Sequence, residues 1–316
     1  MSWIALKEKI RGLLRGPGET GFGWSTTASD VTEELDITGQ TILVTGCNSG
    51  LGKETMRVLA RRGATVYGSA RNHQKAKTAC ESMDGSAKPL VCDLAKPDTI
   101  LDMVEHVRQS NIELDVVVAN AGIMALPELQ QVHGIEKQFF VNYVGHFLLV
   151  TELLDCLKTN GRVVLLTSTA HQFAPESGID FGNLSGEDGY DPWEAYGRSK
   201  LAMLLFAREL HRRMEDYVSN GTAYGVHPGV INTNLTRKMG TFVNTAMKVL
   251  EVLCLKSIPQ GAATQTFAAV HPRATNYSGE YLVDCNPADP QPVGRDDSLA
   301  KKLWDESQSM VEPFRR

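Results

Sequence analysis

Two residues four apart offer the clearest chemistry in the chain: Tyr196 and Lys200, in Tyr196-Gly-Arg-Ser-Lys200. On a helix this spacing places both side chains on one face. A free phenol titrates near 10, about three units too high for a base at neutral pH. A neighbouring ammonium stabilises the phenolate and lowers that value. A tyrosine so tuned can take a proton from an alcohol, or give one to a carbonyl oxygen as a hydride arrives. Isolated, the pair is an ordinary surface helix pattern. Its meaning depends on what else the chain supplies.

A second constellation lies far upstream. The apolar run from Thr41 to Thr45 leads into Gly46-Cys-Asn48-Ser49-Gly50-Leu51-Gly52, and a helical pattern opens at once. Glycines there permit a tight strand-to-helix turn and a close approach of a diphosphate to the backbone. The helix N-terminus favours the negative charge. At the end of the next apolar run the chain reads Ala70-Arg71-Asn72, with no Asp or Glu to bind a ribose 2′-hydroxyl. An arginine there can pair with the 2′-phosphate of NADP instead. A third group is Ser168, in Leu-Leu-Thr167-Ser168-Thr169. Its hydroxyl can hydrogen-bond a substrate oxygen, with Thr167 as the neighbouring alternative.

The elements that must position these groups alternate. Short β-branched runs at 41–45, 64–70, 89–92, 114–119, 162–167, 222–226 and 279–283 read as strands. Helical patterns cover 51–62, 73–83, 97–110, 133–158 and 193–214. Buried strands alternating with helices predict a parallel sheet covered on both faces. The fold class is α/β: one doubly wound Rossmann-type domain over 36–316, with a mostly parallel sheet of about seven strands. Residues 1–35 form an amphipathic helix and a connector ahead of it.

The spacing Gly46-x-x-x-Gly50-x-Gly52, with Tyr196 and Lys200, resembles the short-chain dehydrogenase/reductase superfamily. Asn142-Tyr-Val-Gly-His-Phe, Trp193-Glu-Ala-Tyr196 and Leu205-Phe-Ala-Arg-Glu-Leu look like its retinol dehydrogenase and WW-domain oxidoreductase branch. The resemblance implies a catalytic set of Asn142, Ser168, Tyr196 and Lys200, with Asn142 bending a helix and holding a water that relays protons to the lysine. It implies NADP(H) contacts at Gly46, Asn48, Ser49, Gly50, Leu51, Gly52, Arg71, Asp93, Leu94, Asn120, Ala121, Gly122, Tyr196, Lys200, Pro228, Gly229, Val230 and Thr233. Asp93 is matched to the adenine amino group and Thr233 to the nicotinamide end. His146, His171 and His227 read as structural. The implied reaction is hydride transfer between NADP(H) and a hydrophobic aldehyde, ketone or retinoid- or steroid-like alcohol. The competing reading is a nucleotide-binding scaffold or redox sensor with little turnover.

Composition narrows the partners. The net charge of −5 argues against nucleic acid, which normally requires a basic face. Six scattered cysteines form no zinc pattern, so no metal is expected, and they suit a reducing compartment. The expected location is intracellular, cytoplasmic or peripheral to a membrane. No run of about 18 apolar residues occurs, which argues against a spanning helix. Residues 3–15 read as a short basic amphipathic helix. Its apolar face can pack on its own domain, on a partner subunit or on a membrane surface. A homodimer is a further possibility for a superfamily member. Residues 238–258, rich in Met, Val and Leu, read either as a helical lid over an apolar substrate pocket or as a buried core helix.

Overall fold

The computed structural model describes residues 16–231 and 255–316, together with Leu6, Ile10 and Gly12, which are helical. The rest of the expected N-terminal helix, Thr233 and residues 238–254 of the expected lid lie outside the described residues.

A short helix α1 (Ala28–Val31) precedes the first half of the sheet, which runs β1 (Thr41–Thr45), α2 (Gly50–Arg61), β2 (Thr65–Ala70), α3 (His73–Glu81), β3 (Ala87–Val91), α4 (Pro97–Gln109) and β4 (Leu114–Ala119). A hairpin β5 (Gln131–Val132) and β6 (Ile135–Glu136) follows. The next helical run comprises α5 (Lys137–Phe139), a π-helical turn (Phe140–Val144) and α6 (Gly145–Leu153). Then come β7 (Leu157–Leu166), α7 (Pro192–Tyr217), β8 (Thr222–His227), α8 (Ile258–Gly261), α9 (Ala263–Val270), β9 (Tyr281–Val283), β10 (Asn286–Pro287) and α10 (Asp297–Val311).

The main sheet has the order β10-β9-β8-β7-β4-β1-β2-β3. Only the β10–β9 pairing is antiparallel. The eighth strand is a correction to the expected seven: two residues fold back on β9, too short to leave a periodic signal. The helix expected over 133–158 is also corrected. His133 and Gly134 both adopt positive φ and close the β5–β6 hairpin, which is the geometry of a tight primed turn. At the other end β7 already begins at Leu157.

Alternation along the central strands explains the double winding. Ile42, Val44, Val116, Val118 and Val164 enter one core, under α2, α3 and α9. Leu43, Val117, Val163 and Leu165 enter the other, under α4, α6, α7 and α10. Each of these side chains is essentially unexposed, and full burial of such a residue contributes roughly 1.5–3 kcal/mol. The run Lys137–Cys156 is long and apolar enough to cross a membrane, but 72% of it is buried inside the domain. Phe140, Val144 and Phe147 make it a core element.

Residues 16–31 are woven into the domain. Asn286 Oδ1 accepts from the Thr20 N–H at 3.2 Å, and Asn286 Nδ2 donates to the Phe22 carbonyl at 2.9 Å. The Phe22 ring meets Phe267 edge to face at 5.9 Å. Gly12 is buried, with the Trp24 side chain filling the space a Cβ would need.

The strand order reverses between β1 and β4. A crevice outside the carboxyl ends of the strands at such a switch point is where open α/β sheets bind ligands. The glycine loop follows β1, and Asn120-Ala121-Gly122 follows β4.

Candidate active site

The loop after β1 has the shape its glycines predict. Gly46 and Gly50 have φ of 72° and 57°, in the left-handed region that disfavours side chains. A Cβ on Gly50 would meet nothing within 4 Å, whereas one on Gly52 would lie 2.5 Å from both Asn120 Nδ2 and the Gly46 carbonyl. One glycine therefore leaves room outward, and the other lets α2 close on the loop. Ser49 sits at the N-cap of α2 without a side-chain capping bond. Among the described residues no side chain accepts from the first-turn N–H groups of this twelve-residue helix, which fits a bound phosphate. Asn48 and Ser49 are exposed, and Leu51 lines the pocket beside the loop.

Asn120 braces this loop. Its Nδ2 donates to the Thr45 carbonyl at 2.8 Å, and its N–H donates to Thr45 Oγ1 at 2.9 Å. Gln265 on α9 donates to Asn120 Oδ1 at 3.3 Å. The Ala121 N–H also reaches Thr45 Oγ1, at 3.0 Å. Arg71 is exposed immediately after β2, and the next residue, Asn72, caps α3 by accepting from the Lys75 N–H. Asp93 is half-buried after β3, with its Oδ1 accepting from the Ala95 N–H, while Leu94 is buried.

Tyr196 and Lys200 lie one turn apart near the start of α7. Asp191 caps that helix by accepting from the Trp193 and Glu194 N–H groups, and Pro192 occupies its first turn. Lys200 Nζ lies 5.7 Å from the centre of the Tyr196 ring and donates to the Leu166 carbonyl at 2.9 Å. Ser168, two residues beyond β7, lines the same pocket as the Tyr196 phenol and favours its ionised form. The Thr167 hydroxyl is committed elsewhere, donating to the Lys200 carbonyl at 2.7 Å.

Asn142 stands in the π-helical turn. Its amide Oδ1 accepts from the Ile123 N–H at 2.8 Å, and its Nδ2 donates to the Ile123 carbonyl and to Ser199 Oγ, both at 2.9 Å. A Cβ on Gly122 would lie 3.2 Å from Asn142 Oδ1 and 3.7 Å from Lys200 Nζ, so these groups converge on Gly122.

The expected lowering of the phenol pKa is corrected. Burial pushes Tyr196 up to about 12, and Ser168 only partly opposes it. Burial also brings Lys200 down to about 8. Low-dielectric surroundings disfavour both charged forms, and the ammonium is turned toward the Leu166 carbonyl. The phenol is therefore held protonated.

A single pocket joins Asn120, Gly122, Ser168, Tyr196 and Lys200 to Pro228, Gly229 and Val230. Its remaining wall is mostly apolar, with Ile123, Met124, Phe173, Trp193 and Ile231. Trp193 stands edge-on to Phe173 at 5.9 Å and to Tyr196 at 6.3 Å. Sequence reasoning missed these wall residues. They come from four separate segments and have no common periodicity.

A strand-first dinucleotide loop, an uncapped helix N-terminus and a Ser–Tyr–Lys cluster at one switch point define a nicotinamide-dependent oxidoreductase of the Rossmann class. The family model for short chain dehydrogenases matches residues 40–244. The chain belongs to the short-chain dehydrogenase/reductase superfamily, in its retinol dehydrogenase-like branch. It is 37% identical over 317 residues to short-chain dehydrogenase TIC 32 A, chloroplastic, from Brassica napus, covering 96% of this chain and 99% of that protein. It is 35% identical over 299 residues to human retinol dehydrogenase 13, covering 90% and 88% of the two chains. A solved structure of an uncharacterized protein from Mycobacterium Paratuberculosis superposes with a TM-score of 0.71 at 29% identity, covering 91% of this chain and 98% of that one.

Proposed function

We propose that this protein is an NADP(H)-dependent reductase of hydrophobic aldehydes or ketones, able to run in the reverse direction on the corresponding alcohols. The observation that carries the reading is the Tyr196 phenol, set with Ser168 and a buried Lys200 on one mostly apolar pocket. Preference for the phosphorylated dinucleotide rests on Arg71, exposed at the end of β2 where no acidic residue competes. The relatives' names, retinol dehydrogenase among them, support an apolar alcohol or carbonyl.

When bound, the reduced nicotinamide supplies the hydride. The chain's own groups handle the substrate oxygen and its proton. Ser168 and Tyr196 hydrogen-bond the carbonyl oxygen and orient it. Tyr196, protonated at neutral pH, donates its proton as negative charge develops on that oxygen. With a value of about 8, Lys200 is about nine-tenths charged at pH 7, and its ammonium stabilises the phenolate left behind. Asn142 holds the Gly122–Ile123 segment against this cluster. The wall of Met124, Phe173 and Trp193 excludes water and receives the apolar part of the substrate.

Five described cysteines are free, four of them buried, which supports a reducing intracellular location. Helix α10 covers one face of α7, with Trp304 packed at a tilt against Phe206 and beneath Arg213. A homodimer would therefore have to form through another surface.

The test is NADPH consumption across a series of aldehydes and ketones of rising chain length, with NADH in parallel. KM should fall steeply with apolar length, and NADPH should be preferred. Equal KM values would refute the apolar pocket, and an NADH preference would refute the role of Arg71. Tight NADPH binding without turnover on any carbonyl would make the protein a nucleotide-binding scaffold.

A further inference from the structure

One buried titratable group contacts the site without a part in the chemistry above. His146, wholly unexposed on α6, has both ring nitrogens engaged. Its Nδ1 lies 2.9 Å from the main-chain carbonyl of Asn142, and its Nε2 lies 3.0 Å from Thr45 Oγ1.

Hydrogen-bond accounting fixes the tautomer. A carbonyl can only accept, so the proton sits on Nδ1. The neutral ring then presents a bare Nε2, and the Thr45 hydroxyl donates to it at 3.0 Å in preference to the Val118 carbonyl, which is 3.5 Å away. That hydroxyl already accepts from the Asn120 and Ala121 N–H groups, at 2.9 and 3.0 Å. Its two lone pairs are filled, so it has no place for a proton on Nε2. The ring is thereby held neutral, and burial, with Lys200 nearby, pulls it down to about 4.

The link runs between the two halves of the site. Thr45 ends β1 at the root of the glycine loop, and Asn142 lies in the π-helical turn beside Lys200. Such turns displace carbonyls from the regular ladder, and here the imidazole four residues on takes up the Asn142 carbonyl.

We propose that His146 is a positioning residue, whose Nδ1–H fixes the Asn142 carbonyl next to the reacting cluster while Thr45 fixes the ring. The inference rests on the carbonyl-reductase reading for its kinetic consequence, though not for its tautomer.

Three variants separate the two contacts. His146→Asn keeps an amide N–H at the δ position. His146→Gln keeps a polar group at the ε position, and His146→Phe removes both. Losing the Nδ1 contact should lower kcat roughly ten- to hundredfold, the scale of a small misplacement of catalytic groups. The Gln and Phe variants should show this loss with KM for NADPH near the parent's. His146→Asn should recover most of kcat. Parental kcat in the Gln or Phe variant, or an Asn variant as poor as Phe, would overturn the proposal. If His146→Phe fails to fold, judged by Tm and NADPH binding, the Asn and Gln pair decides.

A readout independent of turnover is the histidine ¹⁵N spectrum of the whole protein, with the His146 signals identified by their loss in His146→Asn. They should report a neutral ring protonated on Nδ1 across roughly pH 5 to 9, where an ordinary histidine titrates. A proton on Nε2, or charge appearing within that range, would overturn the assignment. An inactive parent would sink the reductase reading and leave the tautomer to be decided by this spectrum.

Discussion

Replacing Lys200 by methionine should abolish turnover and yet relieve a stability cost that depends on pH. Lys200 is 5% exposed, and the only hydrogen bond of its ammonium among the described residues is to the Leu166 carbonyl. Burial lowers it from 10.5 to about 8. At pH 7 that lowering corresponds to about 3 kcal/mol of stability withheld from the folded state. Between about pH 8 and 10.5 the unfolded chain binds more protons than the folded one, so stability rises with pH across this window. Near pH 10 the cost falls to about 1 kcal/mol. Methionine fills much the same volume, but it leaves the Leu166 carbonyl without its donor, a loss of about 1–3 kcal/mol that does not depend on pH. Denaturant unfolding of the cofactor-free parent and Lys200→Met at pH 7 and pH 10 isolates the effect, because other titrating groups cancel in the difference. The variant should lose about 2 kcal/mol relative to the parent on going from pH 7 to pH 10. An unchanged difference would show that Lys200 folds with an ordinary pKa, and the electrostatic description of the site would fail.

Arg71→Asp should exchange cofactors, raising KM for NADPH by roughly tenfold or more while KM for NADH falls, because a carboxylate repels the 2′-phosphate and accepts from a free ribose hydroxyl. Initial rates with each dinucleotide measure it. Gly52→Ala should weaken NADPH binding and lower Tm, since the new methyl would lie 2.5 Å from Asn120 Nδ2 and from the Gly46 carbonyl. Such overpacking typically costs about 1–3 kcal/mol. Trp193→Ala should widen the pocket and improve kcat/KM for bulky ketones relative to linear aldehydes, as competition assays would read. A uniform loss on both would mean that Trp193 only supports Tyr196.

The elements carrying the chemistry were legible because each leaves a local mark. The helical pattern from Trp193 marks α7, and i,i+4 spacing joins Tyr196 to Lys200. Gly46, Gly50 and Gly52 stand where the backbone needs positive φ or a close approach. The missing parts depend on tertiary contact or on segments too short for a period. β10 is two residues long, and the β5–β6 hairpin hides its turn in His133-Gly134. Asn286 holds Thr20 from 266 positions away, so residues 18–22 read as a connector when they pack on the sheet edge. The direction of the Tyr196 shift could not be read either: proximity to Lys200 argued for lowering, and only burial, a property of the assembled core, reverses it. His146 read as structural. Its tautomer emerges only when Thr45 and Asn142 are brought to either side of the ring.

The central assignment, Tyr196 as the proton donor in a hydride transfer from NADPH, is tested most directly by isotope transfer. NADPH deuterated at the nicotinamide C4 would be incubated with a long-chain aldehyde and either the parent or Tyr196→Phe, with NADPH binding measured in both. The expected result is one deuterium at the new carbinol carbon with the parent, and none above background with the variant despite retained NADPH binding. Equal deuterium incorporation by the variant would contradict the role given to Tyr196.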